Sequence, residues 1–254
     1  QGLAVLVQTA HRALLYDAGP AFRNSDAGER VVVPALQGLG VADLTMLVIS
    51  HADADHRGGA VSVLERHPDA QLLGAEPDSR ERRGRARPCA AGQTWTWDGI
   101  RFEILHPAGN AVPRSTNAGS CVLRISGAHA LVLLPGDIDA AVEDELVRRN
   151  EPGRMDLVLA PHHGSRTSSS ASLVRTTAPA WVVFPTGFRN RWKFPVTEVV
   201  DRWRDGGACL LNTAETGALQ FEADASTPLR LTRVERRAAP GLWLARPDPA
   251  ASCD

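Results

Sequence analysis

His51-Ala52-Asp53-Ala54-Asp55-His56-Arg57-Gly58-Gly59 is the stretch that decides how this chain is read. Four side chains that bind metals fall within six residues. They follow Leu44–Ile49, an apolar run with one Thr that reads as a buried strand. No regular helix or strand puts positions i, i+2, i+4 and i+5 on one face. A strand end running through a loop into a helix can make them converge. Gly58-Gly59 predicts a turn whose backbone takes conformations that other residues avoid. Imidazole suits zinc, manganese and iron, and carboxylate moves the preference toward harder ions. The plain alternative is a polar loop that happens to hold two His and two Asp.

Other parts of the chain repeat the pattern. Leu131–Leu134 is a short apolar run that delivers Pro135-Gly136-Asp137. Leu157–Ala160 delivers Pro161-His162-His163-Gly164-Ser165, and Leu14–Tyr16 delivers Asp17-Ala18-Gly19. Each reads as a strand with an Asp or His at its C-terminal end, where sites form in layered α/β proteins. Each also has a structural reading. Asp17 could be a turn residue, Asp137 a helix cap before Ile138–Arg149, and His162-His163 a partly exposed pair.

Taken together, the motifs resemble the metallo-β-lactamase superfamily, whose first metal motif is His-x-His-x-Asp-His. Asp53 stands here at the second His. With Pro-Gly-Asp137 and His162-His163-Gly-Ser165, that substitution is similar to the soluble hydrolase-like domain of the ComEC family of bacterial competence DNA-uptake channels. Gln1-Gly2 before Leu3–Thr9 resembles the end of that domain's opening Asp-Val-Gly-Gln-Gly strand. Asn117-x-x-Ser120-x-Val122-Leu123 resembles its middle motif. Asn190-Arg191 with Pro195, Gly206-Gly207 and Asn212-Thr213-x-x-x-Gly217-Ala218 resemble its closing segment. The likeness runs from residue 1 to about residue 222.

Two positions depart from the pattern. The superfamily supplies a His between the first motif and Asp137. The candidates are His67 at a helix end, His106 at a strand end and His129 in a hairpin turn. Asn117 is the better occupant of that corner. Phe194 stands where the family often has a His before the Pro.

The resemblance implies an α/β fold, a four-layer αββα sandwich with mixed sheets, over residues 1–232. The first strand would be cut at the N-terminus, as in a piece of a longer protein, and residues 233–254 would form a tail. It implies two divalent ions. His51, Asp53 and Asp137 would hold one; Asp55, His56, His162 and Asp137 the other, with Asp137 bridging. Three carboxylates against three imidazoles favour Mn²⁺ over Zn²⁺. Asp55, Asp137 and His163 are the candidate catalytic residues. His163 would act as a general acid, bind phosphate, or orient His162. Asn117, Ser120, Ser165, Thr167, Ser168, Asn190 and Arg191 are candidates for substrate binding. Asp17, Gly58 and Gly59 are expected to brace the metal loop.

The implied activity is that of a DNA nuclease degrading the strand that is not imported. The alternatives are a phosphodiesterase for a small ester and a non-catalytic module that guides DNA. β-Lactam hydrolysis is disfavoured, because that chemistry uses His at the Asp53 position or a later Cys motif. The implied partners are DNA, single-stranded by preference, and the membrane channel of the same full-length protein. The implied place is the periplasmic or extracellular face of the inner membrane, as a monomeric soluble domain.

Composition is consistent with one extended globular domain: 254 residues, 43% of them hydrophobic. The net charge of −1 excludes bulk charge as a nucleic-acid signal. No run of about 18 apolar residues is present, so nothing reads as a membrane span. Cys89, Cys121, Cys209 and Cys253 lack the CxxC spacing of a structural zinc site. Free thiols suit a reducing compartment. A Cys89–Cys121 bridge suits the oxidising one in which the resembled domain works. Arg80–Arg87 carries five Arg in eight residues and reads either as a solvated loop or as a phosphate-steering one.

Coarse periodicity predicts hairpins at Leu3–Gln8/Ala13–Tyr16, Thr94–Trp97/Arg101–Leu105 and Cys121–Ser126/Ala130–Leu134. It predicts helices at Val32–Leu39, Ala60–Arg66, Ala140–Arg149, Ser170–Thr176 and Thr197–Gly206. Cys209–Asn212 and Ala218–Phe221 read as a final strand pair.

Overall fold

The computed structural model describes residues 2–74, 86–109 and 113–238. Most of Arg80–Arg87, Cys253 and the end of the expected tail lie outside the described residues. The chain divides into two compact units. The first comprises the described residues of 1–123 with 135–137, and the second those of 124–134 and 138–254.

The first unit is built on a five-stranded sheet in the order β1-β2-β3-β4-β5. Its strands are β1 (Val5–Gln8), β2 (Ala13–Tyr16), β3 (Met46–Ile49), β4 (Gln71–Gly74) and β5 (Ala86–Pro88). β1 and β2 are the expected antiparallel hairpin, and the remaining pairs are parallel. β2 and β3 are buried at every position, as strands covered on both faces should be. Helix α1 (Val33–Gly38) and helix α3 (Ala60–Arg66) supply Leu36, Val63 and Leu64 to a core shared with Leu15, Leu47, Ile49 and Leu72. Between β3 and α3 lies a single helical turn, α2 (Ala54–Arg57), which carries the metal motif. Gly28–Val32 forms a wider turn ahead of α1, so the predicted start of that helix moves by one residue.

Strands β6 (Thr94–Trp97) and β7 (Ile100–His106) complete this unit. They are antiparallel, with Trp97 opposite Ile100. Asp98 (φ 49°) and Gly99 (φ 80°) make the two-residue turn that Asp-Gly predicts. The Cys89–Cys121 bridge is formed, with Cα atoms 5.9 Å apart. It ties the chain before β6 to the segment leading into β8 (Val122–Ser126).

The second unit carries β9 (Leu131–Leu134), β10 (Leu157–Leu159), β11 (Trp181–Phe184) and β12 (Cys209–Asn212). They run parallel in the order β9-β10-β11-β12. Connecting helices are α4 (Ala140–Arg148), α5 (Ala171–Thr177) and α6 (Thr197–Asp205). In α6, Val199 and Trp203 are fully buried, and Val200 is half-buried. The expected pairing of the last two strands is corrected. β12 pairs with β11, and β13 (Leu219–Glu222) pairs with β14 (Arg230–Val234). The short helix α7 (Thr213–Thr216) intervenes, capped by the Asn212 side chain, and it directs the chain away before β13 begins. β14 and the turn α8 (Glu235–Ala238) carry ordered structure past residue 232, the expected end of the domain.

Candidate metal centre

The parallel register of β2 and β3 sets the centre. Tyr16 lies opposite Val48, so β2 ends one residue short of the end of β3. Asp17 follows Tyr16 in a left-handed conformation (φ 60°), and its amide donates to Val48 O at 2.7 Å. Its carboxylate therefore turns under the β3 end. There it accepts from Ser50 N (2.7 Å), Ser50 Oγ (2.8 Å) and His56 Nδ1 (2.8 Å). Ser50 spends its one hydroxyl proton on Asp17, so its oxygen accepts from His51 Nδ1 at 2.9 Å. Both imidazoles are thus protonated on Nδ1 and present Nε2 as the outward nitrogen. A carboxylate or hydroxyl behind a histidine orients it for a metal in this way. Ser50 was missed by the sequence reading. Its signal is position, because a polar residue ending a buried strand must spend its hydroxyl inside.

Asp137 comes from the turn after β9. Its amide donates to Ser120 Oγ at 3.1 Å. Gly136 before it has φ 60°, and a Cβ there would meet Ser120 and Ser50 at about 3 Å, within the range that displaces neighbours. Asp137 Oδ1 lies 3.2 Å from His56 Nε2, and Oδ2 lies 3.9 Å from His51 Nε2. Ligand atoms of His51, His56 and Asp137 all fall within 4.8 Å of one another, and the three residues are buried. Asp53 Oδ2 is 3.8 Å from His51 Nε2, and Asp55 Oδ2 is 4.0 Å from His56 Nε2. His51, His56 and Asp137 form one group, and Asp53 and Asp55 each reach one of its histidines. Asp139, not Asp137, caps α4, accepting from Val142 N. That leaves the Asp137 side chain to the cluster.

The electrostatics suit a cation. Burial lowers the His51 pKa first, and the neighbouring His56 adds to that, against Asp137, Asp17 and Asp53. Burial also works against charge on His56. Asp137 and Asp17 outweigh it and hold the His56 pKa well above its ordinary value. His51 Nε2 is buried and has no hydrogen-bond partner. An orphaned lone pair facing two carboxylates is costly unless something positive occupies the gap. The His/Asp set therefore fits a divalent metal.

The surroundings are mostly structural. Thr116 Oγ1 lies 3.0 Å from Asp53 Oδ1 and 3.1 Å from Asn117 Oδ1, with one proton to share between them. Asn117 thus lies one hydrogen-bonded residue from a ligand. Ser120 is buried and braces the Asp137 turn. Cys121 N donates to Ser50 O at 2.8 Å, and Tyr16 OH donates to Cys121 O at 2.6 Å, so the disulfide anchors the strand beside the site. His106 Nε2 is spent on Ala118 O, and His67 is buried at the end of α3.

The reason expected for Gly58 and Gly59, unusual backbone dihedrals, is corrected. Gly58 has φ −54° and Gly59 φ −91°, which any residue adopts. Glycine is required there by close approach. A Cβ on Gly58 would lie 2.0 Å from Ala21 N, and one on Gly59 2.3 Å from both Ala18 O and Gly28 N. The metal loop is pressed backbone to backbone against the Asp17 turn.

The second unit holds the other predicted residues. His162 and His163 follow β10 with φ 48° and 54°, and Gly164 with φ 82°. His163 is buried, and its Nδ1 donates to Pro185 O at 2.9 Å, leaving Nε2 as its acceptor nitrogen. His162 Nδ1 lies 3.3 Å from Thr167 Oγ1, and Thr167 Oγ1 lies 3.1 Å from Ser165 Oγ. Ser168 is buried and donates to Pro161 O at 2.7 Å. Phe194 packs edge-on to His162, with ring centroids 5.7 Å apart. Asn190 uses its amide inside its own loop, donating to Gly187 O and Phe194 O and accepting from Phe194 N. Arg191 stacks 4.2 Å over the Trp192 ring.

Residues 1–187 match the family model described as the metallo-beta-lactamase superfamily. The chain belongs to that superfamily. The α/β fold with mixed sheets is the one the sequence motifs implied. By shape the chain is similar to the metallo-beta-lactamase fold protein YhfI of Bacillus subtilis, at TM-score 0.51 and 13% identity over 82% of this chain and 87% of that one. By sequence it is 40% identical over 222 residues to Competence protein ComA of Neisseria gonorrhoeae, which covers 87% of this chain and 31% of that protein. It is 35% identical to Recombination protein 2 of Haemophilus influenzae, over 87% of this chain and 27% of that protein. The expected kinship with competence proteins is thus found. The chain spans less than a third of these relatives. Among the described residues, no helix is long and apolar enough to cross a membrane.

Proposed function

We propose that this chain is a metal-dependent phosphodiesterase whose substrate is DNA, and that it degrades the strand not imported during natural transformation. The observation that carries the reading is the buried group His51, His56 and Asp137, with the unpartnered Nε2 of His51. His51, Asp53, Asp55, His56 and Asp137 would hold the metal. Divalent ions bound there would lower the pKa of water and offset charge on phosphate oxygens. The mixed carboxylate and imidazole set supports Mn²⁺, with Zn²⁺ as the second choice. Likeness to proteins named for competence and recombination supports DNA as the substrate. The Cys89–Cys121 bridge supports an oxidising compartment, the periplasmic or extracellular face.

The residues contribute position and exclusion. Asp17 and Ser50 fix the tautomers of His56 and His51. In the second unit, His163 is held by a main-chain carbonyl as an oriented acceptor suited to taking or giving a proton.

The test is incubation of the protein with single- and double-stranded DNA and Mn²⁺, beside Asp137→Ala. Cleavage by the wild type, and its loss by more than about 10³-fold in the variant, is expected for a group that faces both histidines. Equal cleavage by both proteins would remove the metal reading. Binding of DNA without cleavage at saturating metal would favour the DNA-guiding module.

A further inference from the structure

We infer that the segment Gly187–Phe194, with Arg236, is a stacking platform for single-stranded nucleic acid. The inference takes only its choice of ligand from the proposed function. Phe188 and Trp192 are 61% and 45% exposed, although both are large apolar side chains four residues apart. Arg189, Arg191 and Arg236 stand over them, and Lys193 follows Trp192 in the chain. The Arg191 guanidinium lies 4.2 Å over the Trp192 ring. The guanidinium carbons of Arg189 and Arg236 lie 5.2 and 5.8 Å from the centre of the Phe188 ring. Among the described residues, Arg189, Arg191 and Lys193 form no ion pair, so their charge is available.

The segment is not a slack loop. Asn190 closes it with three side-chain hydrogen bonds, to Gly187 O (3.2 Å), Phe194 O (2.7 Å) and Phe194 N (2.9 Å). Main-chain bonds from Asn190 N to Gly187 O and from Lys193 N to Asn190 O add two tight turns. The aromatic rings are therefore presented on a braced frame, and little ordering is left for a ligand to induce.

Exposed rings interleaved with cations match the two features of a nucleic-acid strand. Bases stack on aromatic faces, and phosphates pair with guanidinium and ammonium groups. A duplex hides its base faces, so the rings select for a single strand. The whole chain carries net charge −1, so this attraction is local. An anionic membrane surface is the rival occupant, because it too welcomes aromatic and basic side chains. That role is ordinarily filled by an amphipathic helix lying in the interface, and this segment is a pair of turns.

The experiment is fluorescence anisotropy of a labelled oligothymidylate of about 12 nucleotides, within one site size for such platforms, with protein kept in EDTA. Chelation separates binding from any cleavage, so failure of the nuclease reading leaves this test intact. Phe188→Ala and Trp192→Ala should each weaken binding by about 5–100-fold, the range for losing one stacked base. Trp192→Phe should restore most of the loss. Arg191→Gln should lower the slope of log affinity against log salt by about one phosphate's worth. Phe22→Ala, an exposed aromatic in the first unit, should change nothing. Unchanged affinity in both alanine variants, an equal loss in Phe22→Ala, or equal affinity for duplex of the same length would overturn the inference. So would Trp192-dependent binding to phosphatidylserine vesicles without binding to the oligonucleotide.

Discussion

In the turn after β3, His51 and His56 are held by buried side chains; in the turn after β10, His163 is held by a main-chain carbonyl. The first pair rests on Asp17 and Ser50, both fully buried, in a network of four hydrogen bonds of 2.7–2.9 Å. The backbone there keeps ordinary dihedrals from Asp53 to Gly59. The second pair sits in consecutive left-handed conformations, and His163 is fixed by the carbonyl of Pro185. Histidine tolerates that region better than most residues, yet strain of this kind persists only where the surroundings over-determine it. A network of side chains can be removed one bond at a time. A backbone support cannot be mutated away without moving the chain.

Glycine replacement should show the difference most strongly. Gly59→Ala places a Cβ 2.3 Å from backbone atoms of both Ala18 and Gly28, neither of which can rotate aside. A loss of about 4 kcal/mol or more is expected, at the exceptional end for single substitutions. Gly164→Ala meets side chains, Pro195 at 2.6 Å and Phe184 at 2.8 Å, and adds a left-handed alanine. About 2–3 kcal/mol is expected there, from strain plus a partial shift of rings. Urea denaturation of both variants measures it. Equal losses would mean that the first turn is no more tightly packed than the second.

Removing a support is the next test. In Asp17→Asn, one amide cannot accept from Ser50 Oγ, Ser50 N and His56 Nδ1 at once. Mn²⁺ affinity, measured by calorimetry, should fall about 10–100-fold, as for other partners that orient metal ligands. Pro185→Ala keeps the carbonyl that holds His163, and the structure of its turn should survive. An Asp17→Asn protein with wild-type Mn²⁺ affinity would show that His56 needs no orientation.

How much of this could be read from residues alone follows from the same contrast. His51, Asp53, Asp55, His56 and Asp137 stood out because metal-binding chemistry sits at strand ends, and strand ends are visible as the edges of apolar runs. Asp17 was readable for the same reason. The parallel register that carries Asp17 beneath Ser50 was not, because pairing between distant strands leaves no local mark. Gly58 and Gly59 were noticed for the wrong reason. Sequence shows that glycine is present, not whether dihedral or contact requires it. The pairing of Leu219–Glu222 was missed because Asn212 both ends β12 and caps α7. Spacing alone cannot show a cap inside an apparent hairpin. The left-handed pair His162-His163 has no sequence signal beyond the following glycine.

Glu143 tests how the second turn is supported. It lies on the buried face of α4 between Val142 and Leu146, a position that reads as core. Its carboxylate accepts from Ser169 N (2.6 Å) and Ser170 N (2.5 Å), pinning the far end of the loop that begins at Pro161. Burial pushes its pKa up to about 7, against the two amides that favour the ionised form. A raised carboxylate pKa means that the folded state holds the proton where the unfolded chain has lost it. The associated stability is complete below about pH 4.5 and is lost as pH rises toward about 7. The full span is about 3 kcal/mol as an order of magnitude. Glu143→Gln removes the titration and should flatten that slope. The variant stands in for the neutral acid and should therefore differ from wild type by no more than about 1 kcal/mol near pH 4.5, the cost of one weakened hydrogen bond. The gap should widen in the variant's favour as pH rises through the window, because only the wild type then carries a buried charge. Urea melts across pH 4.5–8 read it directly. Parallel stability profiles would show that the two serine amides keep Glu143 ionised throughout. The loop after His163 would then be clamped by a fixed charge rather than a titrating one.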